Sequence, residues 1–314
     1  MPHIFWWAEL RNDLSPESLI CINLDLQKME FLKYHALGND YLVLTSGYPD
    51  SPEASLTPEQ VRKICHRNFG LGSDGILVGG KDNSGNYFTL QIYNPDGSMA
   101  EKSGNGLRIF ARSLWDRKMV DESQFQIMTT GGLVSAQVDS SAQSVTVDMG
   151  AVSFQSDIIP VAGKNREVLN ETLEIEGEKL TFCAATIGNP HCVVLQRKIS
   201  AEEARWLGPL IEKYPLFPNR TNVQFLEVLD RNMIRIEIWE RGVGYTLASG
   251  SSSSAAAAVA HRLGLCDTEI AVLMPGGQID ITVSENYSIT MKGPVTRIGK
   301  MTLDLESLDF EIPA

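Results

Sequence analysis

Residues 102–116 read KSGNGLRIFARSLWD, and residues 248–263 read ASGSSSSAAAAVAHRL. In each stretch, a short turn of serine and glycine precedes an apolar run that contains no proline. Small residues permit a tight backbone at the turn, and Leu107, Phe110, Ala111 and Leu114 recur at helical spacing after the first turn. The two stretches therefore predict helices over residues 106–115 and 252–263, each following a serine-glycine turn.

The segments around these two helices follow one shared order. Strand-like segments come first, then a helix (residues 57–68 or 201–212), more strands, the serine-glycine turn with its helix, and a last group of strands. This order predicts an α/β (α+β) fold with an internal repeat, in which two domains face each other. The expected segments are an N-terminal extension of unknown role (1–28), a first domain (29–148), a second domain (149–300) and a C-terminal strand able to return to the first domain (301–314).

Composition excludes several classes of function. The chain has 314 residues, a net charge of −12 and a pI near 4.9. Such an acidic chain lacks the basic footprint that nucleic acids and anionic membranes require. The sequence contains no apolar run of about 20 residues, no metal-binding motif and five scattered cysteines, which is typical of the reducing cytoplasm.

The serine-glycine turns are the first candidates for a binding site. The first N–H groups of a helix have no partner within the helix, so two helix N-termini aimed at one point would bind a carboxylate. Ser103 and Ser249 also fit a simpler interpretation, because serine is a common N-cap.

The second group of candidates is polar. Glu240 and Arg241 end a predicted strand, where they could bind an ammonium and a carboxylate or form an ordinary surface ion pair. Four asparagines lie in predicted loops, where asparagine is also a common turn residue. These asparagines are Asn39, Asn94, Asn189 and Asn222.

Several short motifs in this order resemble those of the diaminopimelate epimerase family. The resemblance covers residues 29–305 and rests on FLKYHALGND (31–40), GSDG (72–75), NPDGS (94–98), SGNG (103–106), GNPH (188–191), RTNV (220–223) and ERG (240–242). It implies two pseudo-symmetric domains, each a barrel-like sheet around a central helix. It also implies an isomerase that needs no cofactor.

The family uses one cysteine from each domain to remove and return the α-proton of an amino acid. The resemblance places Ser103 and Ser249 at these two positions. It implies that the backbone near Gly104, Asn105, Gly250 and Ser251 binds the α-carboxylate. It also implies that the distal end of the substrate contacts Asn94, Asn189, Asn222 and Arg241, with Glu240 near its ammonium and Asn39 lining the cleft.

Serine at both positions is a departure from the family, which has cysteine there. A serine hydroxyl is far less acidic than a thiol, so it needs an adjacent base in order to remove a proton. His191 is a candidate for that base. Tyr245 is a second departure, since the family usually has an acid there, and Gly75 stands where glutamine is frequent. The double serine fits an engineered trap, an epimerase with another base, an isomerase for another substrate, or a silent binding protein.

The leading hypothesis is a cytoplasmic, cofactor-independent epimerase that interconverts LL- and meso-diaminopimelate in lysine biosynthesis, with reduced or altered activity. The alternative is a non-catalytic amino-acid-binding paralogue, or a related isomerase that acts on a different substrate. The expected partners are a small amino-acid substrate and a second copy of the chain in a homodimer, with no nucleic acid and no membrane.

Overall fold

The computed structural model describes residues 28–46, 56–82 and 84–309. The predicted N-terminal extension therefore lies, up to residue 27, outside the described residues. The described helices are α1 (Pro58–Cys65), α2 (Gly104–Asp116), α3 (Ala201–Glu212) and α4 (Gly250–Arg262), followed by a 3-10 turn (Leu305–Leu308).

The strands of the first half are β1 (Lys28–Ala36), β2 (Asn39–Ser46), β3 (Ile76–Lys81), β4 (Phe88–Tyr93), β5 (Met99–Ala100), β6 (Phe125–Thr129), β7 (Gly132–Val138) and β8 (Ser144–Ala151). The remaining strands are β9 (Glu171–Ile175), β10 (Glu178–Thr186), β11 (Pro190–Leu195), β12 (Asn222–Asp230), β13 (Met233–Glu240), β14 (Gly244–Thr246), β15 (Glu269–Met274), β16 (Gly277–Val283), β17 (Ser288–Pro294) and β18 (Thr296–Asp304).

Strand pairing repeats between the two halves. The main ladder of the first half runs β18-β1-β2-β3-β4-β6-β7-β8, and that of the second half runs β9-β10-β11-β12-β13-β15-β16-β17. In each ladder the third and fourth strands are parallel, and so are the fifth and sixth. The halves join through antiparallel β8 and β17. The fold is thus strand-rich α+β with the expected pseudo-symmetry, but the sheet curves around its helices without closing into two separate barrels.

One long helix lies in the core of each half. Ten of the 13 residues of α2 are buried, and so are ten of the 13 residues of α4. A helix that is buried on every side needs apolar or small residues all round. The alanine run of α4, residues 255–258, meets this need and lets surrounding strands approach closely.

Both central helices begin two residues earlier than predicted, at Gly104 and Gly250 rather than at residues 106 and 252. The physical reason is capping. Ser103 and Ser249 have extended backbone conformations and act as the N-caps, so the glycine that follows each of them is already the first helical residue.

The last strand, β18, pairs with β1 in antiparallel register, with Lys28 opposite Asp304. The chain then turns into the 3-10 segment, so the strand ends at Asp304. The four segment boundaries given above stay predictions. No helix within the described ranges has the length and apolar character needed to cross a membrane.

Candidate active site

The N-termini of α2 and α4 meet at two glycines. A Cβ atom placed on Gly250 would lie 3.4 Å from the Cα of Gly104 and 2.9 Å from the Sδ of Met291. A Cβ atom on Gly104 would lie 2.8 Å from the Cε of the same methionine. Both positions therefore favour glycine, and the free N–H groups of two helices converge in one region of the molecule.

Ser103 caps α2 and contacts a tyrosine. Its Oγ accepts a hydrogen bond from the backbone N–H of Gly106 at 3.1 Å. The phenol oxygen of Tyr41, a buried residue of β2, lies 3.4 Å from the same Oγ. Any Cβ on Gly75 would lie 2.6 Å from the Tyr41 ring and 2.5 Å from a backbone carbonyl, which explains why this position holds glycine.

Ser249 caps α4 within a cluster of hydroxyl groups. Its Oγ accepts from the backbone N–H of Ser252 at 3.4 Å and lies 3.4 Å from the Oγ of Ser251. The side chain of Gln224 donates to the Oγ of Ser252 at 3.0 Å. The hydroxyls of Ser253 and Ser254 donate to carbonyls one turn earlier in α4, which satisfies these buried groups inside the helix.

A chain of side-chain hydrogen bonds supports the N-terminus of α2. Asn105 donates to the Oδ1 of Asn39 at 3.0 Å, and Asn39 donates in turn to Asp74 at 3.0 Å. The oxygen of Asn105 accepts a hydrogen bond of 2.7 Å from the buried guanidinium of Arg108. These contacts fix the orientation of both amides, so the two predicted asparagines lie together beside α2.

In the second half, Asn222 ties two loops together. Its Nδ2 donates to the carbonyl of Pro190 at 2.9 Å, and its Oδ1 accepts from the backbone N–H of Arg241 at 3.0 Å. The buried carboxylate of Glu212 holds the next residue of that turn, because it accepts from the N–H of Gly242 at 3.1 Å. Asn222 and Glu212 thus fix the backbone of this turn, while the guanidinium of Arg241 donates to the carbonyl of Asn219 at 3.1 Å.

His191 contacts an asparagine rather than either capping serine. Its Nε2 lies 2.9 Å from the Oδ1 of Asn189, and its Nδ1 has no hydrogen-bond partner. Burial, assisted by the positive charge of Arg241, lowers the pKa of His191 to about 3. The ring is therefore neutral at pH 7 and is a weak base, which is evidence against the idea that His191 activates a serine directly.

Two titratable groups from different halves face the same region. Burial, opposed by the hydrogen bond with Ser103 and aided by the nearby carboxylate of Glu240, raises the pKa of the Tyr41 phenol to about 12. Burial also raises the pKa of Glu240 itself, whose Oε2 accepts a hydrogen bond from Thr246 at 3.3 Å. At neutral pH, Tyr41 is consequently a hydrogen-bond donor and not a base.

The structure changes the interpretation of several other predicted positions. Asn39 and Asn222 are the first residues of strands β2 and β12 and not loop residues, since each begins the ladder that pairs its strand with a neighbour. Asn94 does lie in a turn, where its side chain donates to Ser98 at 3.0 Å.

Tyr245 does not contact the helix N-termini. Its phenol donates to Glu237 at 2.6 Å, and the guanidinium of Arg205 lies 3.9 Å from the centre of its ring. This residue therefore links β14, β13 and α3.

Sequence reasoning missed Tyr41, Arg108 and Gln224. Tyr41 looked like an ordinary aromatic residue of a strand, and Gln224 like a polar residue of one. Arg108 had a signal in the sequence, because it lies between Leu107 and Ile109 in a largely apolar run, and a charged side chain that is buried there needs a specific partner. Its contact with Asn105 is local, whereas its contact with Met291 depends on a strand that is distant in the sequence.

The sequence matches one known protein family over most of its length. The family model described as diaminopimelate epimerase matches residues 31–155 and 183–298. The chain belongs to the diaminopimelate epimerase family. It is 57% identical over 283 residues to diaminopimelate epimerase 2 of Nostoc sp. strain PCC 7120, covering 90% of this chain and 98% of the relative. To diaminopimelate epimerase 1 of the same strain it is 34% identical, covering 86% and 98%.

Solved structures share the fold at much lower identity. A hydroxyproline epimerase from Agrobacterium vitis, with bound trans-4-hydroxy-L-proline, aligns with a TM-score of 0.61 and 18% identity, covering 89% of this chain and 92% of the other. A phenazine biosynthesis protein of the PhzF family from Bacillus anthracis aligns with a TM-score of 0.63 and 15% identity, covering 88% and 99%. Together with family membership, this shows an epimerase, an enzyme of the isomerase class that acts on a small molecule.

Proposed function

We propose that this epimerase interconverts LL- and meso-diaminopimelate by exchange of the α-proton, without a cofactor. In this proposal, Ser103 and Ser249 occupy the two positions from which a proton is removed and returned. The proposal depends mainly on the meeting of two serine-capped helix N-termini at Gly104 and Gly250.

The α-carboxylate would bind the N–H groups at the start of both helices, near Gly104, Asn105, Gly250 and Ser251. Backbone N–H groups at a helix N-terminus carry partial positive charge and lack partners within the helix. The geometry supports this assignment because both sets of N–H groups belong to well-packed helices, so they are oriented before the substrate arrives.

The distal end of the substrate would contact Asn94, Asn189 and Arg241, with Glu240 near its ammonium. Asn222 would contribute mainly by fixing the Arg241 turn, because its amide already bonds to two backbone groups. Asn39 would line the cleft through its bond with Asn105.

Serine chemistry limits the expected rate. The Oγ of Ser103 accepts from Gly106 and lies beside a phenol that is protonated at neutral pH, so the hydroxyl can donate a proton more easily than it can remove one. A missing general base typically lowers a rate by about 10²–10⁴-fold. We therefore expect slow exchange compared with thiol-containing relatives.

Proton NMR of LL-diaminopimelate in D₂O with the full chain tests the proposal. Loss of the α-proton signal, with meso product, is the expected outcome. Ser103→Ala and Ser249→Ala should each abolish the exchange, and Ser200→Ala, which removes the N-cap of α3, should leave it unchanged. An unchanged α-proton signal with the wild-type chain would refute the proposed reaction.

A non-catalytic amino-acid-binding paralogue is the second candidate. It is favoured by one observation, the use of both serine hydroxyls as acceptors for backbone N–H groups. Binding of diaminopimelate in calorimetry, without any proton exchange, would support this alternative. The homodimer and the cytoplasmic location stay predictions.

A further inference from the structure

Arg108 is a buried cation without a carboxylate partner. The residue is completely buried in α2, and its Nη2 donates to the oxygen of Asn105 at 2.7 Å. Its Nη1 lies 3.4 Å from the Sδ of Met291, and its Nε has no hydrogen-bond partner. Within the described part of the chain, Arg108 forms no ion pair. Burial alone lowers the pKa of Arg108 to about 10, so the group remains charged at neutral pH.

A buried charge of this kind is costly. Moving an ion out of water destabilises a protein unless a counter-ion and hydrogen bonds compensate. Arg112, one turn further along the same helix, shows the usual solution, because it pairs with Asp116 at 3.0 Å and donates to two backbone carbonyls. Two arginines of one helix therefore differ in whether the protein itself supplies a counter-ion.

Arg108 lies directly behind the junction of the two helix N-termini. The sulfur of Met291, which contacts its guanidinium, is the atom that a Cβ on Gly250 would approach to 2.9 Å, and the terminal methyl group of Met291 lies against Gly104. Gly293 makes this placement possible, because a Cβ there would lie 2.6 Å from Nη1. A full positive charge thus reinforces the partial charges of the helix ends.

We propose that the substrate's α-carboxylate is the missing counter-ion of Arg108, and that Arg108 is an electrostatic positioning residue for the anionic substrate. The inference rests on the proposed function, since it names what neutralises the charge behind that site. Arg108 acts on the carboxylate in two ways. It orients the side-chain amide of Asn105, and its positive charge attracts the carboxylate through the buried interior, where charges are screened weakly. Removal of the α-proton adds negative charge next to the carboxylate, so the same cation stabilises the transition state more than the bound substrate.

Arg108→Met and Arg112→Met form a matched pair for the test. The first removes an uncompensated charge and the second a compensated one from the same helix. For Arg108→Met we expect an unfolding free energy of the empty protein, from urea titration, that is no lower than that of the wild type. For Arg112→Met we expect a clear decrease.

Binding and turnover provide the second measurement. Calorimetry would compare diaminopimelate with its diamide, which has the same length but no carboxylates. Arg108→Met should weaken diaminopimelate binding by about tenfold or more and leave diamide binding unchanged. It should also lower kcat. Arg108→Lys, which keeps the charge, should recover much of the lost binding, and Arg112→Met should keep the wild-type ratio of the two affinities.

Arg108 is a purely structural residue if Arg108→Met destabilises the empty protein as much as Arg112→Met does and preserves the affinity ratio. That result would overturn the inference. If the wild-type chain binds diaminopimelate without exchanging its α-proton, the proposed reaction fails, while the affinity ratio still decides the role of Arg108. If the wild type binds neither ligand, the inference is overturned together with the proposed function, because no substrate carboxylate then neutralises the charge of Arg108.

Discussion

The N-termini of α2 and α4 have the same backbone geometry and different surroundings. Each has a capping serine followed by glycine, and the two glycines lie against each other at one junction. Arg108, a permanent cation, lies behind the first N-terminus, and the phenol of Tyr41 lies beside the capping Ser103. Behind the second lie the amide of Gln224 and a serine cluster, with a neutral histidine, His191, on the neighbouring strand β11.

This difference shows that the repeat is structural and that the electrostatics are not repeated. Strand order and helix position recur in both halves because the same layers must bury the same kind of apolar helix. A bound carboxylate would nevertheless experience a stronger positive field from the first half than from the second. The asymmetry suits a reaction in which the two faces of one carbon atom are treated differently.

The largest effect should come from introducing thiols at the two capping positions. We expect Ser103→Cys combined with Ser249→Cys to raise the rate of α-proton exchange by about a hundredfold or more, since a thiol is far more easily converted to its base than a hydroxyl. Exchange in D₂O, followed by NMR, measures the gain. Ser200→Cys at the N-cap of α3 is the matched control. An unchanged rate in the double variant would show that the two serine hydroxyls do not limit the reaction.

The two single cysteine variants test the asymmetry itself. A thiol at position 103 should titrate at lower pH than a thiol at position 249, because the cation of Arg108 lies behind the first helix and favours the thiolate. We expect about a tenfold difference in thiolate fraction at pH 7. The pH dependence of iodoacetamide alkylation at each site, followed by peptide mass spectrometry, measures it. Equal titration would mean that Arg108 does not affect the junction.

Tyr41→Phe should have a smaller effect on the first half alone. It removes the phenol oxygen that lies 3.4 Å from the Ser103 hydroxyl, so we expect a decrease in kcat of about threefold to tenfold, with little change in KM. In a Ser103→Ala background the same change should have no further effect on any residual rate, because the contact is already absent.

Tyr245→Phe is the control in the second half. It removes the bond to Glu237, away from the helix junction. This variant should leave the exchange rate unchanged even if it lowers stability. A decrease in kcat as large as that of Tyr41→Phe would show that the effect of Tyr41 is not local.

A separate effect, on folding and not on the reaction rate, concerns the stability of the second half at acid pH. The pKa of His191 is about 3 in the folded protein against an ordinary value of 6.5. The unfolded chain therefore binds an additional proton between these values, so this contribution is fully present above about pH 6.5 and is lost as the pH falls toward 3. The expected slope is about 1.4 kcal/mol per pH unit at most.

Urea titrations between about pH 4.5 and pH 8 measure the slope. This window brackets the ordinary pKa of histidine, which is about 6.5. His191→Gln should flatten the curve below that pKa, and above it the curves of the two proteins should run parallel. Parallel curves over the whole range would mean that the ring is accessible to protons in the folded state.

The sequence by itself determined the repeated order of elements, the acidic surface and the two serine-glycine turns. These features depend on residue type and local spacing, which is why both ends of the two central helices were predicted within two residues, whereas α1 ends at Cys65 and not at the predicted residue 68. Family motifs also indicated the epimerase class. The exact helix starts were missed because an N-cap is defined by its backbone conformation, and serine and glycine are compatible with several conformations.

Only the tertiary structure decided what surrounds each turn. The contacts of Tyr41 with Ser103, of Arg108 with Met291 and of Gln224 with Ser252 join residues between 28 and 183 positions apart along the chain. Local propensity carries no information about such pairs. They arise because strands from distant parts of the sequence wrap around each central helix, and burial then fixes the charge state of each group they bring together.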